Sequence, residues 1–399
     1  MSDILIIGGG FAGVWSALGA ARVLDQNGAD RSVTLVAPNA DLVIRPRLYE
    51  ANPQDMRVPL DDVLAPVGVR RVAATVTAVD TAAKQVTAVG GDGATLTLPY
   101  GRLVLAAGSA LVRPDIPGAE HLFDVDTIEA ATALEEHLHA LPPGPGRYTA
   151  VVAGAGFTGV EIATELVHRL REVAGGQDVR VVLVERDTVV GPELGPGPRP
   201  TIQRALDELG VEVRLGAEVA KLDAESVTLS DGTRIPARTV VWTAGVRASE
   251  LTGQIPAERD GLGRLRVGRD LRVAGVDGVY ASGDTAAAVA EDGEHVVTQS
   301  CQHALQLGRY AGHNVAADLL GLPSADFAPD PYVTCLDLGG AGAVFTRGWD
   351  RTVALSGADA KRRKRAVNEE WIYPPVHDRT EILRRADYRV STRPENAAR

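Results

Sequence analysis

The chain has 399 residues, which is too long for one ordinary domain and fits two or three. Apolar residues make up 45% and charged residues 23%, which is the balance of a packed globular protein. The formal net charge of -11 argues against nucleic acid or anionic lipid as the main partner. The two cysteines, Cys301 and Cys335, are too few and too far apart for a disulfide framework or a CxxC redox pair.

Membrane and location signals are weak in this sequence. Nowhere do 18 apolar residues follow one another, so no membrane span is predicted. No basic leader or cleavage site precedes the first apolar segment, and the low cysteine content suits a reducing compartment. The expected location is therefore the cytoplasm. The basic run from Lys361 to Arg365 is predicted to be a solvated helix face or loop.

The first copy of a repeated unit opens the chain. An apolar strand, Ile4 to Ile7, runs into a glycine-rich segment, Gly8 to Gly13. A helix pattern follows, with apolar residues on one face between Val14 and Leu24. A second buried strand is predicted from Val33 to Val36, and the copy ends with Leu103 to Gly108.

The second copy repeats these features in the same order. Its strand is Ala150 to Ala153, its glycine segment Gly154 to Gly159, and its helix carries an apolar face between Ile162 and Val173. Its second strand is Val181 to Val184, and it closes with Val240 to Gly245. Because each unit has the pattern of a nucleotide-binding fold, the duplication implies two dinucleotides.

Segments outside the two copies complete the predicted organisation. A proline- and glycine-rich linker, Leu141 to Gly146, precedes the second copy. After that copy come Gly278 to Asp284 and a helix from about Gln299 to Leu320. Residues 321–390 are predicted to form a small layer of strands with a late helical segment, and the last dozen residues to be a polar, frayed tail.

Each glycine segment has the chemistry of a pyrophosphate cradle. The first glycine permits a tight turn, the second lets backbone approach the phosphates, and the third lets helix pack on strand. Free N–H groups and the helix dipole then stabilise the phosphate charge. One such motif is a weak signal among 43 glycines, but two in matching contexts are a strong one.

The residue that ends the second strand discriminates between nicotinamide cofactors. Glu185 ends it in the second copy, and a carboxylate there favours the ribose hydroxyl of NADH over the 2′-phosphate of NADPH. Arg186 would attract that phosphate, so NADPH remains an alternative cofactor. The first copy has Ala37 at the equivalent position, and either Asn39 or backbone groups hold that ribose.

Four segments resemble the two-dinucleotide flavoproteins, the pyridine nucleotide-disulfide oxidoreductase superfamily without its redox disulfide. Within it they resemble the type II NADH dehydrogenases and their soluble relatives. Gly154 to Leu166 is close to that family's nicotinamide-binding motif, and Pro46 to Glu50 is similar to its Pro-Leu-Leu-Tyr-Glu segment near the flavin. Gly283-Asp284 matches the ribityl-binding aspartate, and Cys301 to Gln306 resembles Ala-Gln-x-Ala-x-Gln beside the flavin.

The resemblance implies an α/β protein with two Rossmann-type domains and a small C-terminal α+β layer. Residues 1–112 and 246–320 would form the FAD domain, 113–245 an inserted NAD(H) domain, and 321–399 the C-terminal layer with its tail. Hydride would pass from NADH, or NADPH, to FAD, and two electrons then to a quinone-like acceptor. No metal site or protein nucleophile is predicted.

The site residues that follow fall into three groups. The residues expected at FAD are Gly8, Gly10, Phe11, Ala12, Gly13, Asn39, Arg45, Val76, Ala107, Gly108, Gly283 and Asp284. Those expected at NADH are Gly154, Gly156, Phe157, Thr158, Gly159, Glu185, Ala244 and Gly245. Those expected to act in catalysis, beside the flavin and the acceptor, are Glu161, Gln302 and Gln306.

Several of these residues have alternative interpretations. Glu161 either relays a proton to the acceptor or only accepts hydrogen bonds from nearby backbone. Arg45 either lies near the flavin or forms a salt bridge with Glu50 or another acid. Glu165 is expected to pair with Arg169 at i+4. Two further expectations are a surface position for His303 and a plain loop for residues 191–200.

The sequence departs from related enzyme classes in three places. It lacks the cysteine pair of the glutathione-reductase branch, and its two cysteines do not match the sulfide:quinone reductases. It also lacks the apolar C-terminal helices that dock type II enzymes on the bilayer, so membrane docking is not expected. Two other functions stay open: reduction of a ferredoxin- or rubredoxin-type protein, and an NADH-responsive redox sensor. A homodimer is a further expectation.

Overall fold

The structure, a computed structural model, describes residues 2–290 and 292–392. The first part of the chain, up to residue 111, contains β1 (Ser2–Ile7), α1 (Phe11–Gln26), β2 (Val33–Val36), β3 (Asp41–Val43), β4 (Arg57–Pro59), α2 (Leu60–Leu64), β5 (Arg70–Val72), β6 (Ala74–Asp80), β7 (Gln85–Gly90), β8 (Thr95–Leu105) and β9 (Ser109–Leu111).

The middle of the chain contains α3 (Ile128–His139), β10 (Thr149–Ala153), α4 (Phe157–Ala174), β11 (Arg180–Glu185), α5 (Arg199–Leu209), β12 (Val211–Leu215), β13 (Val219–Leu222), β14 (Ser226–Leu229), β15 (Arg234–Pro236), β16 (Thr239–Trp242) and β17 (Val246–Ala248). The last part contains β18 (Leu265–Arg266), β19 (Val279–Ala281), β20 (Ala286–Ala287), α6 (Cys301–Leu320), β21 (Val333–Asp337), β22 (Ala343–Arg347), β23 (Thr352–Ser356), α7 (Gly357–Ala366) and α8 (Arg379–Arg385).

The first sheet is built around β1, whose apolar residues Ile4 to Ile7 are all buried. Its strand order is β5-β2-β1-β8-β7-β6, and β19 adds to β8 in parallel. A continuous apolar run is what a parallel strand covered on both faces requires. Since β19 follows the second unit in sequence, the chain returns to its first sheet after completing the second one.

The second sheet has the parallel order β12-β11-β10-β16. A three-stranded antiparallel sheet, β13-β14-β15, accompanies it. The predicted α/β class with two Rossmann-type units is therefore confirmed, whereas the domain boundaries at residues 112, 245 and 320 stay predictions. The third layer consists of the antiparallel sheet β21-β22-β23 with α7 and α8. The predicted frayed tail falls largely on residues 393–399, which lie outside the described residues.

Helices α1 and α6 pack at backbone distance because glycines line their contact. A Cβ added at Gly312 would lie 2.2 Å from the backbone oxygen of Ser16, and one at Gly308 would lie 2.7 Å from that of Ala12. The close approach holds the N-terminus of α6 against the first turn of α1. Two segments that the sequence placed at FAD are thereby brought together.

Gly312→Ala should destabilise the protein, because the added methyl group meets backbone that has no room to move. Overpacking of this kind typically costs about 1–3 kcal/mol, and we expect the melting temperature to fall by several degrees. Thermal unfolding followed by circular dichroism measures this. Gly253→Ala is the matched control, because a Cβ there meets nothing within 4 Å. Equal melting temperatures for the two variants would contradict the packing argument.

Candidate dinucleotide and redox site

The first glycine loop joins β1 to α1 through a turn that only glycine allows. Gly8 has φ +114°, and a Cβ on it would lie 2.2 Å from the backbone oxygen of Ala106. A Cβ on Gly13 would lie 1.9 Å from the oxygen of Gly8. At Gly10, in contrast, an added Cβ meets nothing within 4 Å. The protein itself therefore requires the outer glycines, while the middle one faces open space.

The second glycine loop, between β10 and α4, reproduces this geometry. Gly154 has φ +102°, and a Cβ on Gly159 would lie 1.8 Å from the oxygen of Gly154. Gly156 faces open space, as Gly10 does. The side chain of Thr243 braces the loop by donating a hydrogen bond to the oxygen of Ala153 at 2.9 Å.

Both loops have the donors that a dinucleotide needs. The N-caps of α1 and α4 are glycines, and neither helix has a side-chain cap on its first N–H groups. Such uncapped helix starts bind phosphate through their N–H groups and the positive end of the helix dipole. The residues present therefore fit a pyrophosphate at each loop.

A polar cluster lies where α6 begins, beside the first loop. A Cβ on Gly283 would lie 2.5 Å from the Cβ of Ala12, so the backbone just before Asp284 packs against the first turn of α1. The Ser109 hydroxyl donates to Asp284 at 2.6 Å, and Arg45 donates to the same hydroxyl at 3.0 Å. Arg45 also forms a salt bridge with Asp126. The cluster joins the segments that the sequence predicted at the flavin.

A buried ion pair links α4 to the C-terminal layer. Glu161 accepts a hydrogen bond from the backbone N–H of Asp337 at 2.9 Å and lies 2.9 Å from Nζ of Lys364. The two side chains are only 10% and 8% exposed, so almost no water screens them. Tyr49 donates to Asp337 at 3.3 Å, which adds the segment after β3 to the cluster.

Burial sets the protonation behaviour of this cluster. It raises the pKa of Glu161, although the charge of Lys364 opposes the shift. Burial alone would lower the pKa of Lys364, but the carboxylate of Glu161 outweighs it and raises that pKa. Burial also raises the pKa of Cys301 and of Cys335 to about 11, so both thiols stay protonated near neutral pH.

The two glutamines of α6 also point toward the C-terminal layer. Gln302 donates to the backbone oxygen of Val333 at 3.3 Å, and Gln306 accepts from the N–H of Asp330. Gln306 donates back to the oxygen of Gln302 at 3.3 Å, so the two share one face, as predicted.

Comparison with known proteins agrees with this architecture. Residues 2–308 match the pyridine nucleotide-disulphide oxidoreductase family. The chain belongs to this family. It is therefore an oxidoreductase, as the sequence predicted. No helix among the described residues has the length and apolar character needed to cross a membrane.

Two relatives and one solved structure illustrate the similarity. An NADH dehydrogenase-like protein of Mycobacterium tuberculosis is 48% identical, over 99% of this chain and all of the relative. The type II NADH:quinone oxidoreductase Ndh of the same organism is 30% identical, over 82% of this chain and 75% of the relative. The structure of NDH2 from Plasmodium falciparum superposes with a TM-score of 0.78 at 14% identity, over 96% of this chain and 97% of that one.

Other residues that the sequence predicted at the cofactors lie at scattered positions in the two units. Val76 in β6 and Ala107 both pack against the core of the first sheet, and the oxygen of Gly108 accepts from Ser249 at 2.9 Å. Asn39 is exposed in the loop after β2. Ala244 is partly exposed after β16.

The residues predicted at NADH lie around the second loop. Glu185 is buried at the end of β11 and accepts from the backbone N–H of Ala155 at 2.7 Å. Phe157 and Thr158 begin α4, with the Thr158 side chain exposed. The backbone oxygen of Gly245 accepts a hydrogen bond from the N–H of Val112 at 2.7 Å.

One expectation about side-chain partners is wrong, and one alternative is confirmed. Arg169 does not pair with Glu165 but reaches across to Glu135 of α3. For Arg169, helical spacing suggested Glu165 as partner, but the tertiary structure brings a different carboxylate closer. Arg45 forms a salt bridge with Asp126, which agrees with the alternative of a pair with Glu50 or another acid, while Glu50 pairs with Arg47 at 2.7 Å.

Two expectations about exposure are also wrong. His303 is only 2% exposed, and its ring stacks on Tyr332 at 5.3 Å. In the basic run, Lys364 is buried on Glu161 and Arg363 lies 4.1 Å from the ring of Phe345. A charge count cannot distinguish these positions, because burial depends on which helix face meets another layer.

Sequence reasoning missed Lys364 as a site residue, although a signal was present. Lys364 lies four residues after Ala360 on α7, which places both on one helix face, and Ala360 is fully buried. Asp337 and Asp126 were also missed, and no motif marks them. Their roles depend on the contacts described above.

Lys364→Met should destabilise the oxidoreductase strongly, because it leaves the Glu161 carboxylate buried without its counter-charge. Removing one partner of a buried ion pair typically lowers the free energy of unfolding by about 3–5 kcal/mol. Urea unfolding of the variant and the parent protein measures this change. The double variant Glu161→Gln with Lys364→Met should lose clearly less free energy of unfolding than Lys364→Met alone. Lys221→Met at an exposed site is the control. A double variant as unstable as the sum of its singles would contradict the pairing.

Proposed function

We propose that this protein passes hydride from NADH to FAD and then two electrons to a quinone. The observation that carries the proposal is the duplicated cradle, with the same close approaches at Gly8–Gly13 and at Gly154–Gly159. Two pyrophosphate sites on one chain suit an enzyme that holds one dinucleotide and exchanges a second. The related protein Ndh is itself named a type II NADH:quinone oxidoreductase, which supports the quinone as acceptor.

The first unit is the proposed FAD site and the second the proposed NADH site. Asp284 lies beside the first loop, where its carboxylate would accept hydrogen bonds from ribityl hydroxyls. Arg45 would hold positive charge on the same side, 3.8 Å from Asp284. The other proposed FAD contacts, Asn39 and Val76 among them, are those predicted from the sequence. Glu185 would take the adenosine ribose of NADH.

Protein groups would bind, orient and supply protons, while the bound flavin supplies the redox chemistry by accepting a hydride and releasing two electrons. The loop N–H groups would stabilise the phosphates. Glu161 and Lys364 would exchange a proton with the acceptor, because burial raises the pKa of Glu161 and so favours its protonation. Gln302 and Gln306 would orient that acceptor from the adjoining face of α6.

The remaining predictions about partners rest on the sequence. The excess negative charge counts against an acidic electron-transfer protein as acceptor, which leaves a small quinone as the better candidate. A cytoplasmic location and a homodimer also stay predictions. A purely sensory role would require very slow reoxidation by every small acceptor.

Anaerobic stopped-flow spectroscopy tests the proposal. We expect NADH to bleach the bound flavin quickly, and a soluble quinone to restore its absorbance quickly, because both reactions share one flavin. Fast bleaching without reoxidation by quinone would point to a protein acceptor or a sensor. Absence of bound flavin from the purified protein would contradict the proposal altogether.

Glu185→Gln should narrow the preference for NADH over NADPH. A carboxylate at this position would repel a 2′-phosphate and accept a hydrogen bond from the ribose 2′-hydroxyl, and the amide loses the repulsion. We expect the ratio of the two kcat/KM values to fall several-fold. Glu218→Gln, at an exposed position, has the same charge change and should leave the ratio unaltered. An equal fall of kcat/KM for both cofactors would mean that Glu185 only anchors Ala155.

A further inference from the structure

The turn between β22 and β23 reaches from the C-terminal layer onto the second unit. A Cβ on Gly197 would lie 2.6 Å from the backbone oxygen of Arg351, and one on Gly195 would lie 3.3 Å from its Cδ. The loop before α5 therefore lacks side chains where this turn rests. The contact places Arg351 at the second glycine loop, far in sequence from either copy of the repeat.

The guanidinium of Arg351 lies between two aromatic rings. Its central carbon is 5.4 Å from the ring centre of Phe157 and 5.4 Å from that of Tyr332. Phe157 is the first residue of α4, directly after the open position at Gly156. Tyr332 is held in turn by Trp349, whose ring stacks on it at 4.2 Å. The cation is thus fixed beside the uncapped start of α4.

Aromatic rings satisfy the faces of a guanidinium but not its N–H edge, which needs acceptors in its own plane. Nη1 of Arg351 is buried and has no hydrogen-bond partner within the described residues. The residue also adopts φ +56°, a left-handed conformation that an ordinary side chain rarely takes. A buried donor on a rigid cation is an incomplete site, and an anionic oxygen would complete it.

We infer that Arg351 binds the pyrophosphate of the nicotinamide dinucleotide, so that the C-terminal layer completes the NADH site. This inference rests on the proposed function for the identity of the nucleotide. The helix start would provide backbone donors, and the guanidinium beside Phe157 would add a charged fork. No basic residue stands in the first turn of α4, since residues 157–160 are Phe, Thr, Gly and Val. The positive charge therefore comes from another layer.

Binding of ADP-ribose and of adenosine, measured by titration calorimetry on the flavin-loaded protein, tests the inference. ADP-ribose carries the pyrophosphate and adenosine does not. Arg351→Gln should raise the Kd of ADP-ribose roughly tenfold or more, the usual effect of losing a charged hydrogen bond. The Kd of adenosine should change less than twofold, and Arg351→Lys should recover part of the affinity.

Arg347→Gln is the matched control, because Arg347 is exposed on the same hairpin and lies over Phe345. An unchanged Kd for ADP-ribose in Arg351→Gln would overturn the inference. An equal rise in the Kd of ADP-ribose and of adenosine would also overturn it, since that result means that Arg351 only holds the hairpin in place. Failure of NADH to bleach the flavin would count against the proposed function alone, because the binding comparison does not depend on hydride transfer.

Discussion

The close approach of helix to strand at the two glycine loops is the constraint on which the structure depends. At each loop, the third glycine lies so near the carbonyl of the first that a single methyl group would not fit, with added Cβ atoms at 1.9 Å from Gly8 and 1.8 Å from Gly154. This contact aims the N-terminus of α1 or α4 along the edge of its sheet. Each helix then presents its uncapped N–H groups beside the open position in its own loop, at Gly10 or at Gly156. The polar side chains described above, such as Asp284 and Glu185, lie around these two loops.

The buried pair of Glu161 and Lys364 joins parts of the chain that the two units alone would leave separate. Glu161 belongs to α4, Lys364 to α7, and Tyr49 to the segment after β3. A charge without water needs an opposite charge and hydrogen bonds nearby, so the pair constrains how the C-terminal layer can dock. The same burial raises the pKa of Glu161. A structural constraint and a candidate proton-transfer group are therefore one feature of the molecule.

The C-terminal layer contributes to both sides of the proposed reaction. Helix α7 supplies Lys364 beside Glu161, and the β22–β23 turn supplies Arg351 beside Phe157. Both residues belong to one small sheet-and-helix layer, and both contact α4 of the second unit. In this arrangement, the proposed chemistry would need the layer that carries none of the glycine motifs. Docking of that layer would thus influence nucleotide binding and acceptor reduction together.

The sequence alone determined the architecture and the class of chemistry. Local rules suffice for these, because an apolar strand, a glycine turn and an amphipathic helix are readable from neighbouring residues, and their duplication is visible in one chain. The position of Glu185 at the end of β11 followed from the same patterns, and that of Asp284 from the resemblance to the flavoproteins. Tertiary structure alone decided the partners. Arg169 pairs with Glu135 and not with its helical neighbour, and His303 is buried. Lys364 and Arg351 contact α4, although they lie more than 150 residues after it in sequence. Charges act through space and burial depends on which layers meet, so neither property is written in the spacing of residues along the chain.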